Sequence, residues 1–427
     1  MAKERQIIQV QERVSLAKGI PLSIQHTFAM FSASVLVPYI LGINPSIALL
    51  MNGIGTLIFI LITRGKAPAY LGSSFAFISP ALLVIGTKGL GYQYALGGFV
   101  ITGLIMCAVA VIIKFVGTSW IDAILPPAAM GPVVALIGLE LASNAAQTGG
   151  VLPTDGAPLD PKAITVFLIT LVFAVFGGVL YRGFASAVAI LLSIVIGYIA
   201  ALAIGLVDFS AVTEANILAM PNFATPKWSL EAIVIIIPAT LVVISEHIGH
   251  QVVTSEIIGH DLLKDPGLHR SLFSDGLSTA LSGMCGSCPT TTYGENIGVM
   301  AITKVYSVWV IGGAAVFSIL LSFIGKASAL IQTIPGPVMG GVSFLLYGMI
   351  GASGIRLMVD AKIDYSKARN LALTSVIFVV GLSGISIKLG TAELKGMSLS
   401  AVVGMILGIV FYLLDKFRLT NDYEFEN

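Results

Sequence analysis

Long apolar segments without charged side chains recur along the whole chain. Residues 19–63, 305–325, 327–355 and 396–414 contain no Asp, Glu, Lys or Arg. A helix that crosses the hydrocarbon core of a bilayer needs about 20 mainly apolar residues. Several such windows in one chain predict an all-helical, polytopic membrane protein. A transmembrane barrel would instead alternate apolar and polar residues in segments of about ten, and the sequence lacks that alternation.

Polar, Gly and Pro breaks divide the apolar windows into fourteen predicted transmembrane spans. The two sets of seven are separated by a polar loop over residues 208–231. The spans cover residues 20–40, 43–63, 69–87, 91–114, 119–142, 163–181 and 183–206, then 232–254, 269–286, 292–303, 305–325, 331–351, 368–388 and 396–415.

One sequence motif occurs twice, at positions 209 residues apart. Residues 125–133 are LPPAAMGPV and residues 334–342 are IPGPVMGGV. These motifs open the fifth and twelfth predicted spans, so the repeat unit is seven spans. Because seven is odd, the second copy must cross the membrane in the opposite sense. Inverted repeats are typical of secondary transporters, whose substrate sites lie near the midplane between the repeats.

The third span of each half is rich in helix-breaking and small polar residues. Residues 69–80 are AYLGSSFAFISP and residues 283–295 are GMCGSCPTTTYGE. Both stretches predict short extended segments within broken helices. Free backbone groups at membrane depth are tolerated only where they line a cavity or are buried in protein. A ligand is therefore expected to bind between these segments.

Composition and charge narrow the class further. Only 11% of the 427 residues are charged and the mean hydropathy is +0.96, whereas soluble domains have about 25% charged residues. The net charge of +1 provides no basic surface for nucleic acid. Seventeen of the 23 Lys and Arg residues, Lys3 and Arg5 among them, fall in segments that are cytoplasmic if the N-terminus is inside. The positive-inside rule therefore predicts two cytoplasmic termini.

The three cysteines predict neither a disulfide framework nor a cofactor site. Cys285 and Cys288 have the spacing of a redox C-x-x-C motif, but they lie in a charge-free stretch, residues 276–294, whereas redox motifs lie at an exposed helix start of a soluble fold. Small buried packing residues are the preferred interpretation. No metal ion or organic cofactor is expected.

Two carboxylates lie inside otherwise uncharged spans. Glu246 is the only formal charge between Glu231 and Glu256, and Glu295 is the only one between Asp275 and Lys304. Intramembrane acids are costly and are functional by default. A structural acid that neighbouring hydroxyls satisfy is the alternative interpretation.

A histidine pair next to Glu246 suggests proton chemistry. Glu246 and His250 share a helix face, whereas His247 is turned about 100° away. A buried carboxylate beside an imidazole is a coupled protonatable pair. A metal site at these three residues is less consistent, because histidines three apart face partly different directions and no further His or Cys cluster completes the site.

Two further titratable residues in apolar windows leave their roles open. Glu140, near the outer end of the fifth span, fits a snorkelling or loop-edge position. His26, in the first span, fits a binding site and a helix-packing hydrogen bond equally well.

The side chains expected around the broken spans indicate the ligand class. Carboxylates accept hydrogen bonds and backbone N–H groups donate them, while Phe75, Phe77, Tyr293 and Tyr347 offer flat apolar faces. These groups suit a planar, neutral ring that carries both N–H and C=O. The lack of an intramembrane Arg or Lys in the sequence argues against a phosphate or carboxylate substrate.

Residues 295–304, ENIGVMAITK, resemble the signature E/Q-N-x-G-x-x-x-x-T-R/K of the nucleobase/ascorbate transporter family. Four other stretches match the family in the expected order: Gln25-His26, residues 69–80, residues 246–250 (EHIGH) and residues 291–295 (TTYGE). The matches extend over nearly the whole chain. They are most similar to the bacterial uracil branch of the family.

The resemblance implies an architecture and an activity. Fourteen spans in two inverted repeats, with short strands in spans 3 and 10, would form a core domain (residues 1–116 and 231–326) and a gate domain (residues 117–230 and 327–427). The implied activity is uracil import by proton symport, driven by the proton gradient without a cofactor. The implied setting is the bacterial cytoplasmic membrane, as a homodimer formed through the gate domain.

The resemblance also implies a substrate site between spans 3 and 10. Glu246 and Glu295 would bind the polar groups of the ring, and the backbone N–H groups of Phe75 and Gly294 would meet its carbonyls. Phe75 and Tyr293 would lie against the ring. The implied substrate-binding residues are Phe75, Glu246, Tyr293, Gly294, Glu295 and, from the gate side, Tyr347.

Proton coupling is implied for Glu246, His250 and Glu295. Further candidates near the site are Ser74, His26 and Asn296.

The chain departs from the uracil pattern beside the predicted site. Thr290 stands where Asn is expected after the Pro, and Cys285 and Cys288 are also unusual there. These residues make the path of the short strand and the affinity harder to predict. Glutamate, not glutamine, at position 295 favours uracil over xanthine or urate.

Other functions remain as alternatives. A purine carrier of the same family is the nearest one. An anion channel or exchanger of similar inverted-repeat fold would require cationic or empty half-helix ends, which the two acids disfavour. An intramembrane hydrolase would use Glu246, His247 and His250 with a bound metal, and we expect a transporter instead of an enzyme.

Overall fold

A computed structural model describes residues 7–153, 158–389 and 392–421 of the chain. Helices dominate the described residues, which also include two pairs of short antiparallel strands. Lys3 and Arg5, two of the charges expected in the cytosol, lie outside the described residues.

The first half of the chain consists of helices and one short strand. Its elements are α1 Leu16–Leu41, α2 Pro45–Ile62, β1 Leu71–Ser73, a 3-10 turn Phe75–Phe77, α3 Ile78–Gly86, α4 Tyr92–Val116, α5 Ser119–Ile124, α6 Pro127–Glu140, α7 Ala142–Thr148, α8 Pro161–Leu180, α9 Phe184–Ala187, α10 Ala189–Ala203 and α11 Ser210–Glu214.

The second half follows the same plan and adds a hairpin. Its elements are α12 Leu230–Ile258, a π-helical turn Leu263–Gly267, α13 Leu268–Cys285, β2 Thr290–Thr292, α14 Gly294–Thr303, α15 Val308–Ser322, α16 Gly325–Gln332, α17 Gly336–Asp360, α18 Ala368–Leu382, β3 Ser386–Leu389, β4 Ala392–Lys395 and α19 Gly396–Lys416.

The helices confirm a multi-pass membrane protein. Eight helical segments within the described residues are long and apolar enough to cross a bilayer: α1, α2, α4, α6 with α7, α8, α12, α17 and α19. Four shorter apolar helical segments accompany them, formed by the 3-10 turn with α3 and by α10, α15 and α18. Each of the fourteen predicted windows contains a helix, but the number of spans and their inversion stay predictions.

The two broken spans meet each other through their strands. β1 and β2 pair antiparallel, with Leu71 opposite Thr292 and Ser73 opposite Thr290. Two flanking bonds extend the ladder, from Ser74 N to the Pro289 carbonyl (2.9 Å) and from Tyr293 N to the Tyr70 carbonyl (3.2 Å). Extended backbone in the protein interior is thus satisfied by the partner strand, as a low-dielectric environment requires.

The thirteenth predicted span, residues 368–388, is longer than the helix. α18 ends at Leu382, Gly384 adopts a positive φ of 75°, and the β3–β4 hairpin follows. Apolar Ile385 and Ile387 lie in this hairpin, half exposed, so hydropathy alone extended the window past the helix end.

Glycines allow several helices to cross at close range. Gly138 of α6 and Gly354 of α17 lie at the crossing of these helices, where an added Cβ would collide with the backbone of Tyr347 and Ala135 respectively. Gly103 of α4 faces α13 in the same way. Small residues at crossings let transmembrane helices approach closely and gain van der Waals contact. The α6–α17 crossing also fixes the position of Tyr347, which lies on α17.

Candidate substrate-binding site

Two helices begin directly beyond the β1–β2 pair. The 3-10 turn and α3 follow β1, and α14 follows β2 with Gly294 as its first residue. The first N–H groups of a helix have no intrahelical partner and carry a partial positive charge. Because the two strands run antiparallel, the helix starts lie at opposite ends of the pair. Both can donate hydrogen bonds to carbonyl groups of a ligand.

Tyr293 is locked across the strand pair. Its hydroxyl donates to the Ser73 carbonyl at 2.9 Å and its backbone N–H donates to the Tyr70 carbonyl. Its ring lies on Gly72, where any Cβ would collide with the ring atoms. This arrangement fixes the ring plane of a buried aromatic side chain next to Gly294 and Glu295.

Phe75 packs against two separate apolar groups. It is half-buried and packs against the apolar group that contains Tyr293 and against the one that contains Tyr347. Tyr347 is only 1% exposed, and neither its hydroxyl nor that of buried Ser74 has a hydrogen-bond partner within the described residues. Buried polar groups are usually paired, so these two hydroxyls are suited to a polar ligand.

The two predicted acids and His250 come together in the structure. Glu246 Oε1 and His250 Nε2, one turn apart on α12, are 4.0 Å from each other. Glu295 lies in the first turn of α14, a helix that packs against α12. The His250 ring borders Gly294, at 3.2 Å from the position of an added Cβ. The side chains of Glu246 and His250 are 35% and 18% exposed, so they border accessible space.

A hydrogen-bond network continues from His250 into the protein interior. Thr292 Oγ1 lies 3.2 Å from His250 Nδ1 and 3.2 Å from His247 Nδ1. His247 Nδ1 is also 3.0 Å from Asp275 Oδ2, and its Nε2 is 3.0 Å from Ser271 Oγ. Asp275 Oδ1 accepts the backbone N–H of Thr292 at 3.0 Å. Ser271 Oγ also donates to the Leu268 carbonyl at 3.1 Å, so the network joins α12, α13 and β2.

Asp275 is the residue that sequence reasoning missed. In the sequence it serves only as the boundary of the charge-free window around Glu295, yet its side chain is fully buried and joins His247 to β2. The available signal was its spacing, since Ser271 and Ser278 lie four and three residues away on the same helix face. That polar stripe on α13 marks a face that meets other polar groups.

His26 and Asn296 lie where α1 packs against the first turn of α14. His26 on α1 is buried next to Asn296 on α14, and α1 packs against α14. The His26 ring nitrogens and Asn296 Oδ1 have no geometrically sound hydrogen bond within the described residues. His26 therefore contacts the half-helix that carries Glu295, which is compatible with both roles left open by its sequence position.

Glu140 does not belong to this site. It ends α6, and its Oε2 accepts the backbone N–H of Met397 at 2.9 Å, so it caps the start of α19. Gly396, with φ of 55°, leaves the space that the carboxylate occupies. Glu140 has the loop-edge position expected of it, but it binds a helix end and does not snorkel towards water.

Comparisons with known sequences identify relatives over nearly the full length. The profile of the Permease family (Xan_ur_permease) matches residues 17–390. The chain is 55% identical to the uracil permease of Paenibacillus larvae over 419 residues, which cover 97% of this chain and 99% of that one. It is 56% identical to the uracil permease of Escherichia coli K12, with 97% and 96% covered, and 45% identical to that of Bacillus caldolyticus, with 95% and 94% covered.

Solved structures share the fold at low sequence identity. The transmembrane domain of the cyanobacterial bicarbonate transporter BicA matches with a TM-score of 0.61 and 12% identity, over 95% of this chain and 99% of that one. The murine anion transporter Slc26a9 in its inward-facing state matches with a TM-score of 0.72 and 8% identity, over 95% and 69% of the two chains. These similarities concern the architecture alone.

Proposed function

Since the chain belongs to the Permease family, as the motif resemblance predicts, we propose that it imports uracil by proton symport across the cytoplasmic membrane of a bacterium. It is a transporter and not an enzyme, because the family and its relatives are permeases. The observation that carries the proposal is the position of Glu246 and His250 beside the start of α14, whose first turn holds Glu295 and which follows directly after a strand pair. Relatives named uracil permease, at 45–56% identity, support the substrate.

Substrate recognition follows from the complementarity of the site to a neutral pyrimidine. The carboxylates of Glu246 and Glu295 accept hydrogen bonds from the two ring N–H groups. The backbone N–H groups of Phe75 and Gly294, at the starts of two helices, donate to the ring carbonyls. Phe75 and Tyr293 enclose the ring faces, and the Tyr347 hydroxyl on α17 reaches the ring from the gate side.

Proton coupling follows from the same groups. Two neighbouring acids at low dielectric repel each other when both are charged, and a proton taken up by one of them removes that repulsion. Glu246 Oε1 and His250 Nε2 are 4.0 Å apart, so a small rotation of either side chain, or one bridging water, would let them exchange this proton. Protonation of one of the two acids therefore favours the arrangement in which Glu246 and Glu295 both face a neutral ligand.

The packing of helices supports two inverted seven-span repeats. A shift by seven spans exchanges α1 with α12, α2 with α13, α4 with α15, α6 with α17, α8 with α18 and α10 with α19. The contacts obey this exchange: α2 packs on α15 as α13 packs on α4, and α1 packs on α15 as α12 packs on α4. Likewise α8 packs on α17 as α18 packs on α6. Equivalent strands that pair antiparallel run in opposite directions, as inversion requires.

Movement between two domains completes the proposal. The core domain comprises residues 1–116 and 231–326, and the gate domain comprises residues 117–230 and 327–427, with both termini in the cytosol. Exposed apolar side chains on the gate helices α8 and α18, such as Phe176 and Val379, are available to lipid and to a second copy of the chain. A homodimer through the gate is therefore part of the proposal. The mass of the protein in lipid nanodiscs tests it.

Uptake of labelled uracil into proteoliposomes tests the function. An inward proton gradient should drive accumulation in the wild type, and Glu295→Ala should abolish it. Glu214→Ala removes an exposed acid on α11 and should transport like the wild type. If uracil is ignored and xanthine is accumulated, the chain is a purine carrier. Accumulation of bicarbonate or chloride would instead favour an anion exchanger of the shared fold.

A further inference from the structure

A stripe of buried hydroxyls on α13 lies along β2. Ser278, Thr279 and Ser282 continue the helix face of Asp275 at spacings of three and four residues, and all four side chains are fully buried. We call Ser278, Thr279 and Ser282 the hydroxyl stripe. It has no part in the substrate contacts or the proton exchange proposed above.

The hydroxyl stripe binds the first residue of β2 through three hydrogen bonds. Thr290 Oγ1 pairs with Ser278 Oγ and, at 3.0 Å, with Ser282 Oγ. Thr279 Oγ1 donates to the Thr290 carbonyl at 2.9 Å. The last residue of the strand, Thr292, is held by Asp275 through its backbone N–H. One helix face therefore holds both ends of the strand.

The space around this contact is filled. On the side of α2, Gly55 lies so close that an added Cβ would collide with Ser278 Oγ and would lie 3.3 Å from Thr290 Oγ1. Thr56, the next residue of α2, bonds both backbone groups of Leu71 in β1 through its hydroxyl. Threonine at position 290 fits this space, whereas a larger side chain would have to displace a serine.

A strand pair this short needs such support. β1 and β2 contain three residues each, and isolated two-stranded pairs are marginal in stability. A slip of one residue would move the strand by about 3.3 Å and turn its side chains to the other face. Gly294 and Glu295 follow directly after the strand, so such a slip would carry them away from Glu246 and His250.

We propose that the hydroxyl stripe is a set of positioning residues that fixes the register of β2 and thereby the place of Gly294 and Glu295, and that Thr290, where Asn is expected, is matched to it. The inference rests on the proposed function in so far as uracil is the ligand. It assigns a role in affinity to residues that do not touch the substrate.

Uracil binding to purified protein is the first test. Thr279→Val and the double change Ser278→Ala with Ser282→Ala should raise the uracil Kd, measured by titration calorimetry, by about tenfold or more, the effect of losing buried hydrogen bonds that hold the site. Ser274→Ala is the matched control, because that buried α13 hydroxyl has no partner within the described residues. A stripe that only stabilises the fold would lower Tm in these variants and leave the Kd of the folded protein unchanged, which would overturn the proposal.

A rescue experiment tests the match at position 290. Thr290→Asn alone should weaken uracil binding, because the larger amide displaces Ser278 from a filled site. Combining it with Ser278→Ala removes the obstructing hydroxyl and should restore most of the affinity. Equal Kd values for the single and the double change would contradict a direct coupling between the two positions.

Hydrogen exchange separates failure of this inference from failure of the proposed substrate. Backbone N–H groups of residues 290–295 should exchange faster in Thr279→Val than in the Ser274→Ala control, with or without uracil. If the wild type does not bind uracil but the exchange rises, the substrate assignment is wrong and the positioning role stands. If the wild type binds uracil while exchange and Kd stay unchanged in the stripe variants, the positioning role is wrong.

Discussion

Asp275 holds two hydrogen bonds that meet at the candidate site, and its replacement by Asn gives a quantitative test. The carboxylate accepts from Thr292 N and from His247 Nδ1, both at 3.0 Å, and its side chain is fully buried. In Asp275→Asn the amide oxygen can still accept the Thr292 N–H, but the carboxylate acceptor facing His247 Nδ1 is replaced by an amide N–H₂ donor, so the hydrogen bond from the ring to a charged group is lost. A hydrogen bond to a charged group contributes about 1.5–3 kcal/mol. If this free energy is lost only from the arrangement of β2 that binds uracil, the affinity for uracil drops by roughly ten- to a hundredfold.

Titration calorimetry and thermal unfolding of the purified protein measure the two consequences of Asp275→Asn separately. We expect a higher Kd for uracil together with a lower Tm, because the network supports both the strand and the interior of α13. Asp360→Asn is the matched control, since Asp360 is an exposed acid at the end of α17, paired with Arg356. A folded Asp275→Asn protein with the Kd and Tm of the wild type would refute the assigned role of the network.

Three further changes test other parts of the structure. Glu246→Gln should reduce gradient-driven uracil accumulation more than it reduces Tm, and unchanged accumulation in proteoliposomes would contradict its coupling role. Gly72→Ala should lower uracil affinity in calorimetry, because the new Cβ collides with the ring of Tyr293. Between α12 and α13, the hydrogen bond from Lys66 holds the pKa of Asp265 below its usual range. The stabilisation by the Lys66–Asp265 pair should therefore be complete at neutral pH and be lost only as the pH falls through the lowered pKa. The Tm values of the wild type and of Asp265→Asn should then converge in acid. Uracil uptake by Asp265→Asn should be the same as that of the wild type.

The membrane architecture could be predicted from the sequence because the bilayer imposes a simple constraint on it. A span needs a minimum length of apolar residues, so charge-free windows mark the helices. Backbone that leaves the helix at membrane depth needs partners, so Gly, Pro and hydroxyl residues in residues 69–80 and 283–295 mark the strands. The same cost of burying a charge singles out Glu246 and Glu295, which lie on two helices, α12 and α14, that pack against each other.

The hydrogen-bond network could not be predicted in the same way, because it depends on the strand register. His247 lies 28 residues before Asp275 and 45 residues before Thr292. The pairing of β2 with β1 brings the Thr292 hydroxyl between the two histidines. The end of α18 differs from its predicted position for a related reason. Ile385 and Ile387 are apolar but belong to a hairpin, and hydropathy does not distinguish an apolar hairpin from another helical turn.

The location of the site follows from the backbone hydrogen bonds that each half of the chain must make with the other half. Neither β1 nor β2 can satisfy its backbone alone, so the two broken spans are stable only where the halves meet. The helix starts that follow the strands are thereby fixed at the two ends of the strand pair, and Phe75 comes from the first half while Glu246 and Glu295 come from the second. Tyr347 lies on α17, which crosses α6 at close range, and Phe75 packs against the apolar group that contains Tyr347. A displacement of α6 and α17 can therefore change the packing of this group on Phe75 while the β1–β2 pair, which α14 and Glu295 follow, stays intact.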